Sequence, residues 1–215
     1  MATYKEIICL ANSTRTGGKC VAGITVDNRE WFRPVSEEGQ LSDEQIKYAN
    51  GKLPELLDII RIPYKKLQPT AYQPENVLIS EEGWQYIGKW PKNKLDSLCD
   101  KPKEIFINQV IKDRITVEFF EKNRLKSSLL LIKPESIKLF RKDFRNKKKL
   151  RAIFVYNDLE YDFGVTDPIF CEKYAKEKEG FYKLDSKDVY LCISLAAPFY
   201  KDRCCYKLVA SIIEG

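Results

Sequence analysis

The sequence predicts a mostly β protein with minor helices, arranged as two interlocked small barrels. Three observations lead there. Short apolar runs rich in β-branched and aromatic residues recur along all 215 residues. Turn-forming residues stand between them, beginning with Gly17-Gly18 and Asp27-Asn28. Each half of the chain reads as several strands, a helix, then further strands, without a low-complexity linker or an internal sequence repeat.

The elements follow in order. Ile7–Ala11, Cys20–Val26 and Trp31–Val35 read as three consecutive strands. Gly17 and Gly18 allow a tight reversal between the first two. A helix is expected at about Ser42–Tyr48, because Ser42 with Gln45 forms a capping box and Gly51 stops it. Leu56–Leu67 suits a long strand whose later part, carrying Pro63, lies at an edge or bulge. Gln68–Asn76 is a connector and Val77–Ile79 a short strand. Ser80-Glu81-Glu82 reads as a helix start, with the helix running through Trp84 and Ile87 to Gly88. A short helical piece is expected at Lys94–Cys99. Strands are then expected at Ile105–Val110, Ile115–Phe120, Ser128–Pro134, Lys149–Tyr156 and Leu159–Val165, with Asn157-Asp158 as a hairpin turn. Asp167-Pro168 opens a helix to about Lys178, and Val189–Leu195 and Tyr206–Ile213 close the chain as strands. The division is expected at residues 1–125 and 126–215.

Composition narrows the chemistry. Hydrophobic residues make up 44% of the chain and charged residues 32%, enough for a core and a soluble exterior. No apolar run approaches the ~20 residues needed to cross a bilayer, and Met1–Glu6 lacks a signal-peptide stretch. A cytoplasmic protein with no membrane partner is expected. There is no histidine, so Ser-His and Cys-His dyads, HExxH and His-bound metals are excluded. Seven cysteines without CxxC spacing read as free buried thiols, with no metal and no cofactor.

Two constellations are candidates for binding. The first is Asn12, Ser13, Arg15, Gly17, Gly18 and Lys19 with Trp31 and Arg33. The glycine turn offers N–H groups to an anion beside three cations, Arg15, Lys19 and Arg33, placed to face one mouth. Against that stand a plain hairpin turn, a core Trp31 and a structural ion pair for Arg33; Asp58, if buried, needs a cation such as Arg61 or Arg33. The second is residues 138–151, whose eight basic groups and one acid exceed the net charge of +6 and leave the rest of the chain close to neutral. Arg145, Lys147, Lys148, Lys149 and Arg151 are the candidate polyanion contacts. Phe140 and Phe144, four apart, could anchor a helical turn there. A solvated surface is the competing reading. Gln73, Glu75 and Asn76 could read a base edge, but fixing a neighbouring loop is the stronger expectation.

Asn12-Ser13-x-Arg15-x-Gly17-Gly18-x-Cys20-Val21-Ala22-Gly23, followed by Trp31-x-Arg33-Pro34-Val35-Ser36, resembles the bacterial dual OB-containing domain family. Leu57-Asp58-Ile59, Tyr72-Gln73-x-Glu75-Asn76, Cys192-Ile193-Ser194-Leu195 and Tyr206-Lys207-Leu208-Val209-Ala210 fit it too. The resemblance implies two tandem OB-type barrels and a role in sensing nucleic acids or nucleotides, in bacterial defence. It supplies no catalytic residues. The function expected is therefore non-enzymatic binding of single-stranded nucleic acid or a nucleotide derivative. One alternative is a small-molecule or modified-base sensor signalling through a protein partner. Another is a histidine-free hydrolase or nuclease built on carboxylates and a metal.

Overall fold

The computed structural model describes residues 3–15, 17–106, 113–145 and 147–215. The first half contains β1 (Thr3–Arg15), β2 (Gly18–Thr25), β3 (Trp31–Val35), α1 (Asp43–Ile46), β4 (Asp58–Leu67), β5 (Asn76–Ile79), β6 (Gln85–Lys89) and a 3-10 helix at Lys92–Leu98. β1 pairs with both β2 and β4, so the order β1-β2-β3-β5-β4 returns on itself as a closed five-stranded barrel, with β6 added outside β4. All pairings are antiparallel except β3 with β5. A bulge between Cys9 and Ala11 bends the long first strand. Opposite it sits Gly23, where an added Cβ would lie 2.1 Å from the Ile8 carbonyl oxygen; glycine is what lets β1 and β2 close up there.

The second half contains β7 (Arg114–Thr116), α2 (Val117–Lys122), β8 (Leu129–Ile132), β9 (Ser136–Phe144), β10 (Lys147–Tyr156), β11 (Leu159–Val165), α3 (Pro168–Ala175), β12 (Gly180–Lys183), β13 (Val189–Leu195) and β14 (Cys204–Glu214). Its sheet runs β12-β9-β10-β11-β14-β13-β8, and β7 pairs with β14. The stretch β9-β10-β11-β14-β13, with β11 and β14 parallel, repeats the order and sense of β1-β2-β3-β5-β4. α3 stands between β11 and β13 as α1 stands between β3 and β4. Among the described residues no pairing of β9 with β13 closes this second ring; β12 lies on β9 and β8 on β13 instead. The change of sheet falls between Lys89 and Arg114, so β7, numbered within the expected first unit, pairs in the second sheet.

The barrel and the second sheet interlock through the middle of β1, where Ile7–Ala11 are buried on both faces because successive side chains alternate. Ile7 and Cys9 point into the first barrel with Val21, Phe32, Ile60 and Trp84. Ile8 and Leu10 point the other way and join Leu129, Leu131, Cys192, Ala210 and Ile213 of the second sheet in one core cluster. A third cluster, around Phe154, Tyr161 and Phe163, fills the second sheet's own interior.

Most elements lie where the sequence places them. The Ser42 capping box is present, with Gln45 N–H donating to Ser42 Oγ and Ser42 N–H to Gln45 Oε1. Asn157 and Asp158 both take positive φ (50° and 59°), as a tight hairpin turn requires. Asp167 caps α3, accepting from Ile169 and Phe170 N–H with Oδ1, and its Oδ2 accepts from Ile212 N–H of β14. Four expectations are corrected. The helix through Trp84 and Ile87 is a turn followed by β6, whose backbone pairs with β4. The strand at Ile115–Phe120 is a three-residue strand that turns into α2. The basic run is not helical: it is the β9–β10 hairpin. The helix expected to about Lys178 ends at Ala175, and β12 follows it. Of the strand expected at Ile105–Val110, residues 107–110 lie outside the described residues, and Ile105 and Phe106 form a bend.

Candidate nucleic-acid interface

OB-type barrels take ligands on the face of their second and third strands and the loops beside it. In the first barrel that face belongs to β2 and β3, and the second sheet covers it. Arg33 Nε donates to Glu75 Oε1 at 2.9 Å, and its Nη2 reaches Ser128 Oγ just before β8 (2.8 Å) and Ser194 Oγ on β13 (3.2 Å). Nη1 lies 3.4 Å from Cys20 Sγ. Glu75 also accepts from the Ser128 N–H (2.9 Å) and from its hydroxyl. Both charged residues are buried, Arg33 at 3% and Glu75 at 8% exposure. Burial alone would lower the Arg33 pKa, but Cys20 and Glu75 more than offset it, and the net direction is upward. Arg33 therefore faces the seam between the sheets, not an open mouth. Its partner is Glu75; Asp58 pairs with Lys89 at 2.8 Å and accepts from Tyr48 OH and Glu55 N–H. Gln73 Nε2 donates to the Leu195 carbonyl and Asn76 Nδ2 to Gln73 Oε1, the loop-fixing role expected of them.

The glycine turn is likewise committed internally. Gly17 has φ 95°, and a Cβ on Gly17 or Gly18 would come within 2.6 Å of Gln40 Oε1 or the Leu41 carbonyl. The Lys19 N–H donates to Leu41 O (2.7 Å) and the Leu41 N–H returns to Lys19 O. Those glycines let the 36–41 segment pack on the turn, and the Lys19 N–H is spent on Leu41 rather than held out for an anion. Asn12 Nδ2 donates to Pro54 O, Ser13 is buried opposite Cys20, and Trp31 Nε1 donates to Asp100 Oδ2 at 3.1 Å. Arg15 ends β1, and its side chain lies outside the described residues.

In the second sheet the open face is that of β9, β10 and β12. In the β9–β10 hairpin, Leu139 and Arg141 pair with Ala152 and Leu150 on the buried side. Alternation then puts Lys138, Phe140, Lys142 and Phe144 of β9 on the outward side, opposite Ile153, Arg151, Lys149 and Lys147 of β10. β12 extends that face, with Phe181 opposite Phe140 and Lys183 opposite Lys138. Phe181, 63% exposed, stacks on Phe140 with centroids 4.6 Å apart and planes 25° from parallel, and Lys138 Nζ lies 5.4 Å from its centroid. Phe144, 44% exposed, has Lys149 Nζ at 5.0 Å, Arg145 Cζ at 5.2 Å and Lys142 Nζ at 5.9 Å from its ring. Among the described residues no carboxylate lies within ion-pair distance of Lys138, Lys142, Arg145, Lys147, Lys149 or Lys183. Two of the residues expected to contact a polyanion are engaged elsewhere. Arg151 pairs with Asp162 at 2.6 Å. Lys148 sits on the opposite face and donates to the Ala175 carbonyl at the C-terminal end of α3, where a cation suits the helix dipole.

The profile of the dual OB-containing domain family matches residues 5–212. The chain belongs to that family. The dual OB-containing domain is also similar to a solved structure described as the "Ifi202 HINa domain in complex with 20bp dsDNA", at 10% identity over 98% of this chain and 95% of that one. The TM-score of that superposition is 0.33, which carries no argument. No curated protein matches the chain. No helix among the described residues is long and apolar enough to cross a membrane. Among the described residues no group of three or more His, Cys, Asp or Glu is placed to hold a metal ion. All seven cysteines are free. Sequence reasoning passed over Phe181 and Lys183, which lie 30 residues and more from the charge run and join it only through the β12–β9 pairing. Phe140, Phe144, Lys138 and Lys142 were visible inside the run, but a helical reading assigns the two rings to the core side. A period-2 reading of 138–144 would have put them on the same face as the lysines.

Proposed function

We propose that the outward face of β12, β9 and β10 binds single-stranded nucleic acid, and that the protein acts by binding rather than by catalysis. One observation carries this: Phe140, Phe144 and Phe181 form an aromatic strip, two of its rings well exposed, ringed by cations without carboxylate partners. Exposed rings are costly in water unless a ligand covers them, and bases stack on such rings while Lys and Arg hold the phosphates. A duplex hides its base faces, so the strip favours single strands. The β2–β3 face of the first barrel is closed by the second sheet, which leaves the second sheet as the ligand-bearing half.

Phe181→Leu tests the reading. Leucine keeps an apolar side chain on an exposed edge strand and removes the stacking surface. Affinity for a fluorescently labelled oligodeoxythymidine, read by anisotropy, is expected to fall by about 1–3 kcal/mol, with the melting temperature unchanged. Undiminished affinity would refute the stacking role.

A further inference from the structure

A cleft of about 720 Å³ opens between the two barrels, away from the β9–β10 hairpin. Its size and its place between two units are those of small-ligand pockets. Trp31 and Tyr64 line it from the first barrel, together with Leu67, which is 70% exposed. Lys126 comes from the segment leading into β8, and Asp100 and Lys101 from the connection between the sheets.

The polar groups of this cleft are half-used. Asp100 Oδ2 accepts from Trp31 Nε1 (3.1 Å) and from the Leu131 N–H (2.8 Å), which fixes the carboxylate beside the indole. Its Oδ1 has no partner among the described residues, and neither has the Tyr64 hydroxyl. Lys101 and Lys126 are exposed, and no carboxylate lies within ion-pair distance of either among the described residues. Lys5 and Arg29, by contrast, are tied to Asp27 and to the Ser97 carbonyl. An indole in the lining, one free acceptor fixed beside it and two unpaired cations together suit a planar ring that carries an N–H donor edge and an anionic tail.

We propose that the cleft is a second binding site, for a mononucleotide, guanine nucleotides foremost. The base lies against Trp31 and donates an N–H to Asp100 Oδ1, and the phosphate meets Lys101 and Lys126. Guanine fits the acceptor because its N1–H and N2 amino donors lie side by side on one edge. The site shares no residue with the aromatic strip and does not depend on it.

Calorimetric titration of the full chain with GMP, guanosine and ribose 5-phosphate tests this. GMP is expected to bind, and guanosine and ribose 5-phosphate to bind more weakly. Asp100→Asn keeps an oxygen for the Trp31 and Leu131 donors but turns an amino group toward the base, so GMP affinity should drop by about tenfold or more. Lys101→Ala with Lys126→Ala should bring GMP down to the guanosine value and leave guanosine unchanged. Both variants should melt at the wild-type temperature and bind the labelled single strand normally, which separates this site from the nucleic-acid face. No heat with GMP up to about 1 mM would overturn the proposal. So would GMP binding that survives Asp100→Asn but is lost when Lys142, Lys147 and Lys149 are replaced by Ala, because the nucleotide would then belong to the strip.

Discussion

Arg33 donates to Glu75 and to two serines of the other sheet, and those bonds leave its guanidinium little to offer a phosphate. Sequence alone puts it among the ligand-binding residues, with a structural ion pair as the competing reading, because an Arg beside a Trp near a strand end can serve either. What decides is Glu75, 42 residues away, whose role emerges only when β3 and β5 run side by side. A lysine cannot span the same partners, because it is a point charge on a flexible stem. Arg33→Lys is therefore expected to lose about 1–3 kcal/mol of unfolding free energy in urea while oligonucleotide affinity stays as in the wild type. Weaker binding at unchanged stability would return Arg33 to the ligand. The thiols make a second residue-scale prediction. Burial pushes Cys9 and Cys205 up to about 12 and Cys99 and Cys171 up to about 11, and raises Cys192 as well. In the unfolded chain these thiols ionise near their ordinary value of about 8.5. Above that pH the folded state holds more protons, so stability is full below it and falls as pH rises toward the folded values. Lys207, which burial lowers to about 8, works the other way over part of the same range. Urea unfolding should give a lower free energy at a pH of about 10 than at about 8, with a shallower loss in Cys205→Ala; equal stability at the two values would contradict the thiol account.

Elements were legible where local pattern and tertiary fate agree. β1, β2, β3 and the Asn157-Asp158 hairpin follow directly from alternation and turn residues. The misreadings each have a physical cause. Ser80-Glu81-Glu82 resembles a helix start, but pairing with β4 takes the Gln85–Lys89 backbone instead. Ile115-Thr116-Val117 has strand composition, yet α2 begins at Val117, with Phe120 buried in the core. In β9 the charges mask the alternation, because Arg141 on the inner side breaks the apolar sequence; its guanidinium reaches Asp143 at 2.8 Å. The glycine turn was rightly placed as a hairpin, but its packing on Gln40 and Leu41 has no local signal. Gly18→Ala tests that packing: a methyl group 2.6 Å from the Leu41 carbonyl is expected to cost about 1–3 kcal/mol in urea unfolding, with oligonucleotide affinity intact. An unchanged stability would mean that the 36–41 segment is not seated on the turn.

At the scale of the molecule, the chain carries one strand order twice, yet the two copies share no sequence pattern, because each buries a different set of side chains. The first copy is closed and turns its β2–β3 face into the second sheet. The second leaves the outward face of β9 and β10 in water, and β12 beside β9 widens it. Two copies with unequal faces account for a chain that is close to neutral apart from one basic run. The salt dependence of single-strand binding separates the two halves. Each phosphate contact on a single strand contributes about 0.7 to the log–log slope. Replacing Lys142, Lys147 and Lys149 by Ala should flatten the slope by about 2 and weaken binding, whereas Arg33→Lys should leave the slope at its wild-type value. A triple variant that binds with unchanged slope, or an Arg33 variant that flattens it, would place the nucleic acid on the first barrel and contradict the account.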